Sequence, residues 1–173
     1  SERALGVASR QADTYLAWIE SREVLAHRIK RAKDKFVYAN RKASFGLRTH
    51  IVVRNTEGKA WNAAEDLIKH ADQKVKTQRS ESNSKPLSVS TEIAESDEFR
   101  LGRHLWNGIS QVRVNCGTAL VGTPAQVAKE LLNYWRLGFD EFILSGFPHL
   151  EECKRVAEDL IPLTRELIEN ESR

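Results

Sequence analysis

The apolar positions of this chain change their period several times, and each change predicts a new element. Ala4, Leu5, Ala8 and Ala12 recur at helical spacing behind Ser1, a residue suited to cap a helix N-terminus, and predict a short helix over Ser1 to Gln11. Asp13 to Trp18 then alternates and is rich in β-formers, which predicts a strand. From Ser21 to Ala39 the helical period returns through Val24, Leu25, Ile29, Ala32 and Phe36, with Lys and Arg filling the other face. Ser44 to Val53 is the clearest strand of the sequence, and Glu57 to His70 after it is an amphipathic helix carrying Trp61, Ala64, Leu67 and Ile68 on one side. The pattern weakens over Lys74 to Arg103 into a charged, Ser-rich stretch, read as an insertion loop inside one domain that spans 1–173. Thr123-Pro124 opens a further helix that Gly138 ends, Phe139 to Ser145 is a strand, and Leu150 to Glu169 is a closing helix.

Strands alternating with helices imply an α/β fold, with a parallel sheet covered by helices. The pattern supplies about three strands, whereas a closed βα barrel needs eight and usually roughly 250 residues. The chain is therefore either a small open α/β domain or part of a barrel that other polypeptide completes. Three parallel strands also leave two uncovered edges, so a dimer or larger assembly is expected.

Composition narrows the class. With 173 residues, 40% of them hydrophobic and 29% charged, the chain falls among ordinary globular domains. The net charge of +3 is small and spread along the sequence, which argues against a nucleic-acid partner. No run of eighteen apolar residues and no signal-like start is present, so no membrane partner is expected. Cys116 and Cys153 have neither metal spacing nor disulfide density, which fits a reducing cytoplasm. His27, His70 and His104 lack companion ligands at metal spacing, and no metal site is expected.

Candidate chemistry gathers on a few residues. Along Ser44 to Val53, alternation puts Gly46, Arg48, His50 and Val52 on one face and Phe45, Leu47, Thr49, Ile51 and Val53 on the other. The second face suits covering helices. Arg48 and His50 would place a permanent cation beside a group that titrates near neutrality, either lining a site for an anion or facing solvent on an edge strand. Ser145 to Glu152 follows the last strand as a Gly- and Pro-shaped loop presenting Phe147 and His149; the alternative is an ordinary turn with His149 capping its helix. Arg113 begins a loop running to Gly122 and is placed either to close over an anion or simply on the surface. Cys116 has no histidine beside it in sequence to make it a nucleophile. Trp18 ends the first strand, lining a pocket or buried in core. Ser1, opening a helix, could hold a phosphate or only cap the helix.

Together these segments resemble a known family. Phe45 to Arg54, Gly117 to Gly122 and Phe142 to Glu152 are similar, in order, to the last third of the alkanesulfonate monooxygenases of the bacterial-luciferase-like flavin monooxygenase superfamily. Ser1-Glu2-Arg3-Ala4 and Asp13 to Trp18 resemble it too, so that the likeness covers most of the chain outside the Ser-rich stretch. The resemblance implies the C-terminal part of a TIM barrel lacking the first half. It implies reduced FMN as a co-substrate, dioxygen, and a separate NAD(P)H-dependent flavin reductase. The implied reaction cleaves the carbon–sulfur bond of an alkanesulfonate to give an aldehyde and sulfite. Carried over by position, Arg48 and His50 are the inward pair, Arg113 the loop arginine, His149 the loop histidine and Ser1 the serine near the flavin phosphate, while Trp18 and Phe147 contact substrate. Three departures from the family pattern stand out: Phe147 replaces a tyrosine, Val114-Asn115-Cys116 replaces glycine-rich loop sequence, and Ile19 replaces a glycine.

Overall fold

The computed structural model describes residues 2–69, 99–111 and 118–173. Ser1, Arg113, Cys116 and residues 74–98 of the 74–103 insertion segment lie outside the described residues. Within them the order is α1 (Glu2–Gln11), β1 (Thr14–Trp18), α2 (Arg22–Tyr38), β2 (Ser44–Val53), α3 (Glu57–Lys69), β3 (Leu105–Trp106), β4 (Ala119–Gly122), α4 (Pro124–Arg136), β5 (Glu141–Ser145), α5 (His149–Arg155) and α6 (Ile161–Glu171).

Local chemistry explains most boundaries. Ser21 caps α2, its hydroxyl accepting from the Val24 amide at 3.4 Å. Thr123 and Gln126 form a reciprocal capping box on α4, with Pro124 in the first turn. Gly138 follows that helix at φ +99, a conformation that strains any L side chain. The closing helix expected over Leu150 to Glu169 is instead two α-helices joined by a π turn over Val156–Leu160. Pro162, which has no amide hydrogen and whose ring crowds the carbonyl four residues back, stands just beyond the widened turn and accounts for it.

The sheet is organised around β2. Backbone groups of alternate residues point to opposite edges of a strand, and here they sort the partners. Arg48 O accepts from Ile19, His50 N donates to Thr118 O and Arg54 N donates to Gly122 O, all from even-numbered positions. From the other parity, Phe45 O accepts from Asp140. One edge of β2 thus carries β1 against its first half and β4 against its second, and the opposite edge carries β5, all parallel. The three strands expected from alternation are the run β1-β2-β5. Ala119–Gly122, expected to be loop, is a strand: its continuous apolar run is buried at every position, and β3 pairs antiparallel to its far edge.

Odd-numbered β2 side chains meet the helices as alternation requires. Phe45, Leu47, Ile51 and Val53 pack with Leu25, Ile29 and Phe36 of α2 and with Val127, Leu131 and Tyr134 of α4. Burial of each such large side chain contributes about 1.5–3 kcal/mol. Phe36 meets Phe45 edge-on at 5.9 Å. Val52, on the even face, is not part of an open surface but is buried in a second cluster with Ala60, Trp61 and Ala64 of α3 and Trp106 and Val121. Farther down the even face the sheet is uncovered: Leu16 is 47% and Ile143 46% exposed. Among the described residues no helix is long and apolar enough to cross a membrane.

Candidate functional site

Parallel register decides which side chains share the even face of β2. Trp18 pairs with Arg48, and Ser145 with His50, so four residues from three strands point the same way near the strands' C-terminal ends. Gly146 then turns the chain so that Phe147 and His149 return over this face. Gly146 is required at that point because a β-carbon there would lie 2.6 Å from Cβ of Glu152 and 2.9 Å from the carbonyl oxygen of Ile51.

The result is a row of neighbouring rings, each tilted against the next. The Arg48 guanidinium lies 4.6 Å from the Trp18 ring centroid. Trp18 stands 6.2 Å from the imidazole of His50 at 35°, His50 stands 5.4 Å from Phe147 at 34°, and Phe147 stands 4.7 Å from His149 at 37°. Of the sequence candidates, Trp18, Arg48, His50, Phe147 and His149 are therefore brought together. Arg48 is exposed at one end of the row and His149 at the other, while His50 in the middle is only 2% exposed. Of the two readings of Arg48 and His50, a simple solvent-facing edge does not hold, because β2 is the central strand and His50 is buried. His149 opens α5 but does not cap it; its Nδ1 is 2.6 Å from the Gly146 carbonyl oxygen, so the ring pins its own loop.

Three participants escaped the sequence reading. Ser145 Oγ sits 2.9 Å from His50 Nδ1, a contact foreshadowed only by its place as the last residue of an alternating strand. Glu152 is 1% exposed and takes Arg54 at 2.6 Å and Arg155 at 2.7 Å on the same oxygen, Oε1. Its other oxygen is buried with no hydrogen-bond partner among the described residues. Arg54 lies 98 residues away in sequence, so no local pattern could have paired it with Glu152. On the other face of β5 a groove of 720 Å³ runs between α4, α5 and α6, lined by Trp135, Phe142, Leu144, Cys153 and Ile168 among others.

Chemically, the row offers aromatic ring surfaces, a cation accessible at its open end, and two imidazoles either side of one phenyl ring. Such a surface suits a planar ligand together with an anion.

Comparison with solved structures places the fold. The chain is 16% identical to a riboflavin lyase (RcaE) solved with modified FMN and riboflavin, with a TM-score of 0.72 over 96% of this chain and 41% of that one. An EDTA monooxygenase (EmoA) from Chelativorans sp. BNC1 gives 17% identity and 0.66 over 96% and 44%. DmoA from Hyphomicrobium sulfonivorans gives 15% and 0.70 over 96% and 40%. The chain thus spans about two fifths of the length of these structures, as a partial barrel does. The sequence model of the luciferase-like monooxygenases matches residues 1–141, well over half of the chain, and the protein belongs to that family.

Proposed function

We propose that the chain is the C-terminal part of a reduced-flavin-dependent, two-component monooxygenase that desulfonates an alkanesulfonate to an aldehyde and sulfite, with a separate NAD(P)H-dependent reductase supplying the flavin. The observation that carries this reading is the row Arg48-Trp18-His50-Phe147-His149, set at the C-terminal ends of the strands where barrel enzymes build their sites. Membership of the luciferase-like monooxygenases supports the flavin chemistry, and the choice of an alkanesulfonate rests on the resemblance of the sequence motifs.

The residues present fit one wall of a flavin site, because Trp18 and Phe147 offer ring surfaces and Leu16 and Ile143 continue an apolar face beneath them. Reduced FMN, when bound, supplies the electrons that activate dioxygen. Arg48 pairs with the sulfonate, an interaction its exposed guanidinium is free to make while Trp18 holds it from behind. His50 is placed to hold or pass a proton from a site shielded from bulk water. Phe147 orients substrate through its ring alone, since it lacks the hydroxyl of the family tyrosine. The roles of Arg113 as the loop arginine and of Ser1 at the flavin phosphate rest on the resemblance.

A second reading has its own observation. The exposed Leu16 and Ile143 on the inward face fit a partial barrel that is inactive alone and associates with itself, or binds a partner or small anion there. Anaerobic titration with dithionite-reduced FMN, read by tryptophan quenching against a Trp18→Phe control, separates the two. Saturable quenching lost in Trp18→Phe is expected, with sulfite release once reductase, dioxygen and an alkanesulfonate are added to a barrel completed around this chain. No flavin binding and no sulfite from the completed barrel would overturn the first reading.

A further inference from the structure

We propose that the groove between α4, α5 and α6 is a second binding site, for a small alkyl anion whose carboxylate or sulfonate head pairs with Arg165. It lies on the helix side of β5, away from the inward face, and does not rest on the flavin-site reading above.

Register places the apolar floor. Phe142 and Leu144 pair with Leu47 and Thr49, so they face the helices, while Ile143 between them faces inward. Leu131 and Trp135 of α4 form one wall. The other wall runs from the π turn, where Ala157 supplies only a methyl group, to Ile161 and Ile168 of α6. Phe142, Leu144 and Trp135 are half-buried there, in contrast to the open Leu16 and Ile143 of the inward face. Every lining residue falls between 131 and 168, so one stretch of this chain builds the whole site without help from the rest of a barrel. A cavity of 720 Å³ with mostly apolar walls and a few polar groups has the size and lining of a small-molecule pocket.

The charged side chains of the lining decide the sign of the ligand. Two are carboxylates, and both are engaged: Asp140 accepts from the Phe45 amide at 2.9 Å, and Glu152 Oε1 accepts from Arg54 and Arg155, two positive charges against one negative. The second oxygen of Glu152 is buried, so a ligand in the groove does not reach it. Arg165 is different. It lines the groove, is exposed, and makes no ion pair with another described residue. A permanent cation is thus the uncommitted charge beside an apolar wall. Charge complementarity selects an anion with an apolar body, the chain lying on Phe142, Leu144 and Ile168 and the head meeting the guanidinium. An alkylammonium of the same length would bring like charge to Arg165 and find both carboxylates already occupied.

Cys153 lines the groove with an exposed free thiol and serves as the reporter. In the full chain carrying Cys116→Ser, alkylation of Cys153 by iodoacetamide is timed with and without octanesulfonate, kept below its micelle-forming concentration. Saturable slowing by octanesulfonate is expected, and none comparable by octylammonium. Arg165→Ala is expected to raise the half-protecting concentration about fivefold or more, while its circular dichroism stays that of the parent because the residue is exposed. Arg48→Ala, which removes the exposed cation of the inward face, is expected to leave that concentration unchanged. No slowing, or equal slowing by octylammonium, would overturn the proposal. Protection lost in Arg48→Ala and kept in Arg165→Ala would overturn it too, by moving the anion to the inward face. A thiol unreactive before any ligand is added would mean that the groove is already filled, by a second copy if dilution frees it, and would also overturn it. No flavin enters the assay, so failure here and failure of the flavin reading are distinguishable.

Discussion

Arg54, the first residue beyond β2, reaches the buried carboxylate of Glu152 in α5 at 2.6 Å, and this pair fastens the central strand to the helix that starts with His149. Glu152 has almost no access to water, whereas Arg155, its other partner, is 40% exposed at its side chain. Arg54→Met is expected to destabilise the fold by about 3 kcal/mol, because it leaves a buried carboxylate short of its better-shielded counter-ion. Arg155→Met is expected to cost less than half of that. Denaturant midpoints give the comparison, and equal costs would mean that both arginines act only as surface charges.

Removing Arg48 separates chemistry from folding. Its guanidinium is exposed and its visible contact is the Trp18 ring, so Arg48→Ala is expected to change stability by no more than about 1 kcal/mol. In the completed barrel the same change is expected to cut turnover of an anionic sulfonate by about 10²-fold or more. Steady-state kinetics beside a thermal melt would check this; an equally active variant would remove Arg48 from the site.

Phe147→Tyr is expected to fold normally and to give equal or higher activity with sulfonates, since it returns a hydroxyl to a ring already held between His50 and His149. A collapse of stability instead would show that the position has no room for the added oxygen.

Much of this arrangement could be read from the chain, and the limits have physical causes. Alternation along Ser44 to Val53 placed Arg48 and His50 on one face correctly because β2 is long and central, so its period has ten residues in which to declare itself. Ala119–Gly122 was unreadable as a strand because four apolar residues buried on both faces carry no alternation. The π turn was missed since the helical period continues across it, and only Pro162 marks the disturbance. Ser145 and Glu152 depend on partners about a hundred residues away, and sequence periodicity does not report such distances.

Acid is expected to loosen the contact between α4 and α6. Arg136 grips Glu171 with two hydrogen bonds of 2.6 Å, and these hold the Glu171 carboxyl below its ordinary value of 4.5. Since the unfolded chain takes up that proton first, the pair's contribution is complete above the ordinary value and is lost as pH falls through the lowered one. Melting temperatures of wild type and Glu171→Gln should therefore differ near neutrality, by a small amount for so exposed a pair, and converge in acid. A difference that persists at low pH would point to packing rather than charge.

Assembly is the remaining expectation. Leu16 and Ile143 stand open on the inward face, and covering them would reward a second copy or the rest of a barrel. Sedimentation at micromolar concentration should find a dimer or larger species, shifted toward monomer by Leu16→Glu. A compact monomer in the unaltered protein would show that this face is covered from within the chain.

The end-to-end placement of β1 and β4 on one side of β2 acts as a ruler for evolution. Because β4 takes up the same edge from His50 onward, β1 has no lane in which to grow beyond Trp18, and the chain must leave the sheet there. Added residues in that connection would have to bulge toward solvent before α2, and a deletion would drag Trp18 out of line with Arg48. Length changes between relatives should therefore collect after Ile19 and spare the five residues of β1.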